Sequence, residues 1–303
     1  MSSIRIATRR SPLALAQSRQ VAAHITAATG RTVELVEITS LGDQTQASLK
    51  DFGGVGVFIA AVREAVLAGQ ADLAVHSMKD LPTAVHDQMY LLAVPPRAAT
   101  NDVLISDAGR LQDLPGGATV GTGSPRRRAQ LLAMRSDLQV VDIRGNVDTR
   151  VGKVGGAYDA VLLAEAGLGR LGITDRITEV LSTDLMLPAP GQGALAIECA
   201  TASHRQFSDL AAALDDPVTR AAVTAERTVL AELEAGCAAP MGAEAIVQGD
   251  ALQLRAGVFS TSGDRVLRSE VSGTLKQAVE LGRQAAAELL DLGASGLLGD
   301  SGK

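Results

Sequence analysis

The sequence predicts an α/β protein, because strand-like and helix-like segments alternate along its first half. The stretch 33–39 alternates polar and apolar residues as a strand does, and 12–28 carries apolar residues at helical spacing. Alternation of this kind favours mostly parallel sheets. In chain order, we expect strands at 4–8, 33–39, 73–78, 118–120, 139–143 and 159–164, and helices at 12–28, 57–68 and 125–134.

Two of these helices begin with the same signature. Ser11-Pro12 follows the first strand, and Ser124-Pro125 follows the strand at 118–120. Serine suits the N-cap and proline suits the first helical position. Helix N-termini attract anions through their unpaired N–H groups, but a good helix start is the simpler interpretation of this signal alone.

Proline-rich breaks divide the chain. Val94-Pro-Pro-Arg97 and Leu187-Pro-Ala-Pro-Gly191 are typical of hinges, since proline fixes φ and removes a donor. We therefore predict a discontinuous α/β domain formed by 1–96 and 190–216, and a second α/β domain at 97–189.

The pattern changes after residue 216. A long helix at 218–233 is followed by three strand-like runs between 243 and 271 and a closing helix at 275–290. We predict that 217–303 is a third, small α+β domain.

Composition excludes several classes of protein. The 303 residues carry a net charge of −6 and only 2% aromatic residues, which disfavours nucleic-acid binding. No apolar run reaches the roughly 18 residues of a membrane span, so we expect a cytoplasmic protein with reduced cysteines. The four histidines show no metal-ligand spacing, and no metal site is expected.

Charged residues, most of them cations, follow the ends of several predicted strands. Arg9 follows the first strand, Lys79 and Asp80 follow 73–78, Arg144 follows 139–143, and Arg170 lies beyond 159–164. Ligands of open α/β sheets bind at the carboxyl ends of strands.

The stretch GTGSPRRRAQ (121–130) adds three consecutive arginines at such an end. Because an arginine fork matches a carboxylate, the sequence indicates a clamp for a small polyanion. Arg128 should point away from Arg126 and Arg127, since three successive helical residues cannot face one spot.

The two cysteines differ in setting. Cys199 lies in an apolar run and fits a small core residue. Cys237 lies in Glu234-Ala-Gly-Cys-Ala-Ala-Pro240, where either an accessible nucleophile or a half-buried loop residue is consistent with the pattern.

Taken together, the motifs resemble the porphobilinogen deaminase (hydroxymethylbilane synthase) family. They occur in the family's order over most of the chain: IATRRSPLALAQ (6–17), ADLAVHSMKDLP (71–82), VGTGSPRRRAQL (120–131), IRGNVDTR (143–150), AGLGRLG (166–172), LPAPGQGALAIE (187–198) and LEAGCAAPMG (233–242). The resemblance implies two α/β domains like type II periplasmic binding proteins, joined by hinge strands, and a small α+β C-terminal domain.

The resemblance also implies the activity. The family's enzymes condense four porphobilinogen molecules head to tail into hydroxymethylbilane, release ammonia and supply tetrapyrrole (porphyrin and heme) biosynthesis. They use a dipyrromethane cofactor attached by a thioether, here to Cys237, and a catalytic aspartate, here Asp80. The residues that would bind cofactor and substrate are Arg9, Ser11, Gln17, Ser77, Lys79, Thr122, Ser124, Arg126, Arg127, Arg144, Arg150 and Arg170.

Two positions depart from the family pattern. Val55 stands where a lysine is frequent, so that lysine's role is not carried over, and Ala235 replaces a frequent glycine before the cysteine. The family leads us to expect a monomer whose partner is porphobilinogen. The alternative is a non-catalytic cleft-type binding protein for a small polyanion, which would not need Lys79-Asp80 or a loop thiol.

Overall fold

The computed structural model describes residues 3–39, 56–236 and 239–299. Contacts divide the chain into two compact units. The first combines Met1–Arg97 with Ala194–Arg220, and the second combines Ala98–Gly193 with Ala221–Lys303. Two of the three transitions along the chain, after Arg97 and after Gly193, lie close to the proline-rich breaks. The three-domain division predicted from the sequence is a finer one and stays a prediction.

The first unit is built on a five-stranded sheet of order β2-β1-β3-β10-β4. Strands β1, β2 and β3 are parallel, whereas β10 is antiparallel to both β3 and β4. The strands are β1 (Ile4–Arg9), β2 (Val33–Ile38), β3 (Leu73–Ser77), β4 (Met89–Ala93) and β10 (Leu195–Ala200).

Helices pack on this sheet through apolar side chains. Val21 and Ile25 of one helix join Ile6, Leu73 and Ile197 of the sheet in a buried core. A 3-10 helix, Met78–Asp80, directly follows β3, and another spans Thr201–Phe207. The helices are α1 (Pro12–Thr29), α2 (Gly56–Leu67) and α6 (Ser208–Leu214).

The second unit contains a sheet of the same design, with order β7-β6-β8-β5-β9. Strands β6, β7 and β8 are parallel, and β5 is antiparallel to β8 and β9. Strand β5 thus holds the position that β10 holds in the first sheet. The elements are β5 (Asp102–Ser106), β6 (Thr119–Gly121), β7 (Gln139–Val141), β8 (Ala160–Ala164), β9 (Glu179–Leu181), α3 (Pro125–Met134), α4 (Val147–Val151) and α5 (Glu165–Leu171).

The expectation of mostly parallel sheets is met in strand direction, since four of the five strands of each sheet run the same way, but not in strand pairing. Each contains two parallel and two antiparallel strand pairings among the described residues, because a strand of reversed direction is inserted beside β3 and beside β8. The mixed α/β class itself is confirmed.

The remainder of the second unit is the small α+β part. Its antiparallel sheet β11-β12-β13 packs on helices around a core that includes Val229, Leu254 and Leu289. The elements are α7 (Pro217–Glu232), whose first four residues belong to the first unit, β11 (Met241–Gln248), β12 (Ala251–Phe259), β13 (Val266–Thr274), α8 (Ala278–Asp291) and α9 (Ala294–Gly299).

The tip of the β12–β13 hairpin approaches α3 closely. At Gly263 (φ +81°) an added Cβ would lie 2.5 Å from the backbone nitrogen of Ala133. Within the described part of the chain, no helix is both long and apolar enough to cross a membrane.

Candidate functional site

The carboxyl edge of the first sheet gathers several of the predicted site residues. Arg9 ends β1 and Ser77 ends the parallel strand β3, so both lie at the same edge, followed by Asp80 in the 3-10 helix. A pocket at this edge has apolar walls from α1, α2 and β3, and its empty space, including the open mouth, is about 530 Å³. Its polar lining consists of Arg9, Ser11, Gln17, His76, Ser77 and Asp80.

Hydrogen bonds hold the polar side of this pocket in place. Gln17 Nε2 donates to Ser77 Oγ at 2.7 Å, and the N-cap hydroxyl of Ser11 accepts from the backbone N–H of Ala14 at 3.3 Å. Lys79 belongs to the same 3-10 helix as Asp80 and is half-buried, but it is not among the residues that line the pocket. The first sheet thus brings four of the predicted binding residues, Arg9, Ser11, Gln17 and Ser77, together around the predicted catalytic carboxylate.

The wall of the pocket includes a residue that the sequence did not mark as functional. His76 is buried, as expected for a packed strand residue, yet it lines the same pocket as Asp80. Its Nε2 lies 3.3 Å from Oε2 of the buried Glu198.

The carboxyl edge of the second sheet carries the other predicted residues. Thr122 and Ser124 follow β6, Arg144 follows the parallel strand β7, and Arg170 lies in the helix after β8. Ser124 caps α3 by accepting from the N–H of Arg127 at 3.4 Å, with Pro125 at the helix start. The two Ser-Pro helix starts are confirmed.

The structure makes clear what Arg126 and Arg127 contact. Both side chains are buried against the fully buried Asp102, with Arg126 Nη1 and Arg127 Nη2 each 2.7 Å from a different carboxylate oxygen. Gln192 Nε2 also donates to Asp102 Oδ1, at 2.8 Å. Burial alone would raise the pKa of Asp102, but the two guanidinium groups hold it well below its usual range.

The third arginine of the run points elsewhere, as expected. Arg128 is exposed and donates to the backbone oxygen of Val140 at 2.6 Å. Thus two members of the run share one buried carboxylate, and their predicted role in binding a ligand stays a prediction. Asp102 was missed because nothing nearby in the sequence marks it as their partner.

The remaining arginines of this edge differ in exposure. Arg144 is exposed, whereas Arg150 and Arg170 are half-buried, and burial lowers the pKa of both. The neighbouring Arg127 lowers the pKa of Arg150 further. Arg150 Nε donates to Gly145 O and Arg170 Nη2 to Gly193 O, each at 2.7 Å.

Of the two cysteines, Cys199 lies within the described residues. Cys199 lies buried on β10, and burial, with a contribution from Glu198, raises the pKa of its thiol to about 11. Such a thiol stays protonated and is a poor nucleophile. Cys237 and Val55 lie outside the described residues.

Comparison with known proteins identifies relatives along nearly the whole chain. Residues 4–208 match the family model "Porphobilinogen deaminase, dipyromethane cofactor binding domain", and 220–291 match "Porphobilinogen deaminase, C-terminal domain". The chain is 51% identical to porphobilinogen deaminase 1 of Streptomyces coelicolor, with 98% of each chain covered. It is 52% identical to porphobilinogen deaminase of Thermobifida fusca, over 98% of this chain and 96% of the relative.

Solved structures show a weaker similarity. A periplasmic substrate-binding protein of an ABC transporter from Coxiella burnetii is 12% identical, with a TM-score of 0.43 over 74% of this chain and 96% of that one.

Proposed function

Because the chain belongs to the porphobilinogen deaminase family, we propose that the residues at its two sheet edges bind the carboxylates and move the protons of that family's reaction. The enzyme is a hydroxymethylbilane synthase, a transferase of tetrapyrrole biosynthesis that joins porphobilinogen units and releases ammonia. The alternative of a non-catalytic binding protein is not favoured by these matches.

The excess of positive charge at the second sheet is the observation that carries the proposal. Arg126 and Arg127 share the single charge of Asp102, and Arg150 lies close enough to Arg127 for its pKa to be lowered. Arg126 Nε is buried and has no hydrogen-bond partner among the described residues. Burying uncompensated charge is costly, so a bound carboxylate would stabilise this edge.

Porphobilinogen and its oligomers have the matching chemistry. Each pyrrole carries an acetate and a propionate, and every added unit brings two more carboxylates. We propose that Arg144, Arg150 and Arg170 bind them as charge-assisted hydrogen-bond donors, together with Arg126, Arg127 and the hydroxyls of Thr122 and Ser124. In the first unit, Arg9, Ser11, Gln17, Ser77 and Lys79 would serve the same purpose.

The dipyrromethane group suits these residues because it too carries carboxylates. When bound, it supplies the nucleophilic pyrrole end to which substrate units are joined. We propose Cys237 as its attachment point, on the strength of the LEAGC motif and of the protonated state of the buried Cys199. Intact-mass measurement tests this: Cys237→Ala should remove the mass increment of the dipyrromethane, and Cys199→Ala should keep it. The reverse pattern would refute the assignment.

Asp80 is the proposed catalytic carboxylate. Each addition breaks a C–N bond, which requires a proton on the departing amine, and forms a C–C bond, which releases a proton from the bonding carbon of the attacking pyrrole. A carboxylate in the pocket can exchange these protons and stabilise the positive charge that develops on the substrate pyrrole. The half-buried position of Asp80 in the lining of the pocket supports this role.

Asp80→Asn tests the role of the carboxylate. The amide keeps the shape and removes the charge and basicity, so turnover should fall by about 10²–10⁴-fold with little change in folding. Asp113→Asn is a matched control, since Asp113 also ends a short 3-10 helix, Leu111–Asp113, and it should keep near-normal turnover. Normal turnover in Asp80→Asn would show that another group handles the protons.

We further propose that the enzyme works as a cytoplasmic monomer, as the family resemblance implies. Sedimentation equilibrium of the purified protein should give the 31.1 kDa mass of one chain, increased by the cofactor. A mass of two chains would contradict the proposal, and recovery of the enzyme in a fraction other than the cytoplasm would contradict the location.

A further inference from the structure

A buried charged cluster behind the Asp80 pocket has no part in the chemistry described above. Arg63 donates to Glu198 through Nε and Nη2, each at 2.8 Å, and both side chains are nearly inaccessible to solvent. His76 Nε2 faces the same carboxylate at 3.3 Å and is buried without a well-formed hydrogen bond in the described part of the chain.

The cluster joins three elements that form the pocket. Arg63 lies on α2, next to Val62, which lines the pocket together with Ile59. Glu198 lies on β10, and His76 lies on β3, one residue before Ser77. A movement of this cluster would therefore shift both the apolar wall and the end of the strand that leads to Asp80.

The charges of the cluster favour an ionised Glu198. Burial alone would raise the pKa of this carboxyl, but His76 and Arg63 lower it to about 2. The bidentate contact with Arg63 leaves Oε2 directed at His76 as well. An ionised carboxylate only accepts hydrogen bonds, so the imidazole nitrogen that faces it must carry the proton for a favourable contact.

We propose that Glu198 is a positioning residue for the active pocket. Held by Arg63, it keeps the His76 ring in the tautomer protonated on Nε2 and fixes the end of β3 that presents Ser77 and leads to Asp80. This inference rests on the proposed role of the Asp80 pocket, and it adds two residues, Arg63 and Glu198, that do not line the pocket themselves.

A double substitution separates positioning from a purely structural role. A buried ion pair can often be replaced by apolar side chains without loss of stability, whereas removal of one partner strands the other charge. Arg63→Met with Glu198→Met should therefore fold, while the acceptor for His76 is gone. We expect kcat to fall roughly 10- to 100-fold from misplaced groups, with the urea midpoint close to that of the unmodified protein.

The matched control uses the other end of the same strand. Asp72 directly precedes β3 and pairs with Arg5 at 2.9 Å. Asp72→Asn should lower stability and leave kcat unchanged. If the double variant does not fold, Glu198→Gln keeps the length of the side chain and removes its charge, and it should also reduce kcat.

The tautomer provides a readout that is independent of activity. Long-range ¹H–¹⁵N spectra of the full-length enzyme, with the His76 signals assigned by their loss in His76→Asn, should show a proton on Nε2. Protonation on Nδ1 would overturn the inference, and so would a folded double variant with unchanged kcat. Normal turnover in Asp80→Asn would instead remove the proposed function while leaving the tautomer result intact.

Discussion

Two buried carboxylates occupy corresponding strands of the two five-stranded sheets. Glu198 lies on β10 of the first sheet, and Asp102 begins β5 of the second, and each strand is the antiparallel insertion beside β3 or β8. Each carboxylate is bound by arginine from a helix that packs in its own unit: Arg63 for Glu198, and the pair Arg126 and Arg127 for Asp102.

The difference lies in the balance of charge. One arginine neutralises Glu198, and the imidazole of His76 completes the cluster, which suits a carboxylate that holds the wall of the pocket in place. Two arginines share Asp102, so that cluster keeps a net positive charge of one. Under the proposed roles, the carboxylate on the fourth strand of the first sheet stabilises a pocket, and the one on the fourth strand of the second sheet leaves positive charge for anion binding.

Removal of the carboxylates should have the largest effect on stability. Breaking a buried ion pair costs about 3–5 kcal/mol, because it leaves an uncompensated charge. We expect Asp102→Ala, which strands two arginines, to lie at the upper end of this range, and Glu198→Ala, which strands one, at the lower end. Urea denaturation of both variants measures the difference. A larger loss for Glu198→Ala would contradict the charge balance.

The arginine run offers a second test. Arg126→Leu and Arg127→Leu should each lower the free energy of unfolding by about 1.5–3 kcal/mol, the contribution of a hydrogen bond to a charged group. Each should also reduce the fraction of protein that carries the cofactor. The control is Arg128→Leu, which removes an exposed side chain and should keep most activity. Product formation and intact mass should be measured for all three. Equal, mild effects at the three positions would show that the run does not bind carboxylates.

The pH dependence of stability should also separate the two carboxylates. The pKa of Glu198 is lowered from 4.5 to about 2, so its contribution is complete above pH 4.5 and is lost as the pH falls towards 2. The stability difference between the unmodified protein and Glu198→Gln should shrink below pH 4.5, by at most about 1.4 kcal/mol per pH unit.

The corresponding difference for Asp102→Asn should persist to lower pH. The pKa of Asp102 is lowered from an ordinary value of 3.8, so its contribution should begin to decline only below that pH. Chemical denaturation from about pH 3 to about pH 6 gives the free energy of unfolding of both variants and of the unmodified protein. Identical pH profiles would contradict the assignment of the shifts.

The smallest effect concerns the two helix caps. Ser11 and Ser124 cap α1 and α3 with similar long hydrogen bonds of 3.3 and 3.4 Å. Ser11→Ala and Ser124→Ala should each lower the free energy of unfolding by about 1 kcal/mol, as measured by thermal or urea unfolding. A loss several-fold larger at one cap would show that its hydroxyl has a second structural role.

Local elements were predictable because their signals are local. The predicted helix at 125–134 has the same first and last residues as the observed helix Pro125–Met134. Most predicted strands begin and end within two residues of those observed. The insertion of β10 between β3 and β4 was not predictable, since its pairing joins distant parts of the chain and its apolar run has no alternating pattern.

The site shows the same division. Strand ends indicated Arg9, Asp80 and Arg144 correctly as residues of the carboxyl edges. The partners of the buried charges escaped notice, because Arg63 and Glu198 are separated by 135 positions and nothing in the local pattern links them. The buried ion pairs that Arg126 and Arg127 form with Asp102 were not predicted for the same reason.

The inserted strand also has a consequence for synthesis of the protein. Strand β10 begins about a hundred residues after β4 ends, so the first sheet lacks its fourth strand until all five strands of the second sheet have been synthesised. At about 5–20 residues per second, this delay lasts roughly 5–20 s. During that time the edges of β3 and β4 lack their native partner, and unpaired edges favour wrong pairing with other chains. The nascent first unit therefore passes through a stage in which its central strand edges are open to wrong pairing.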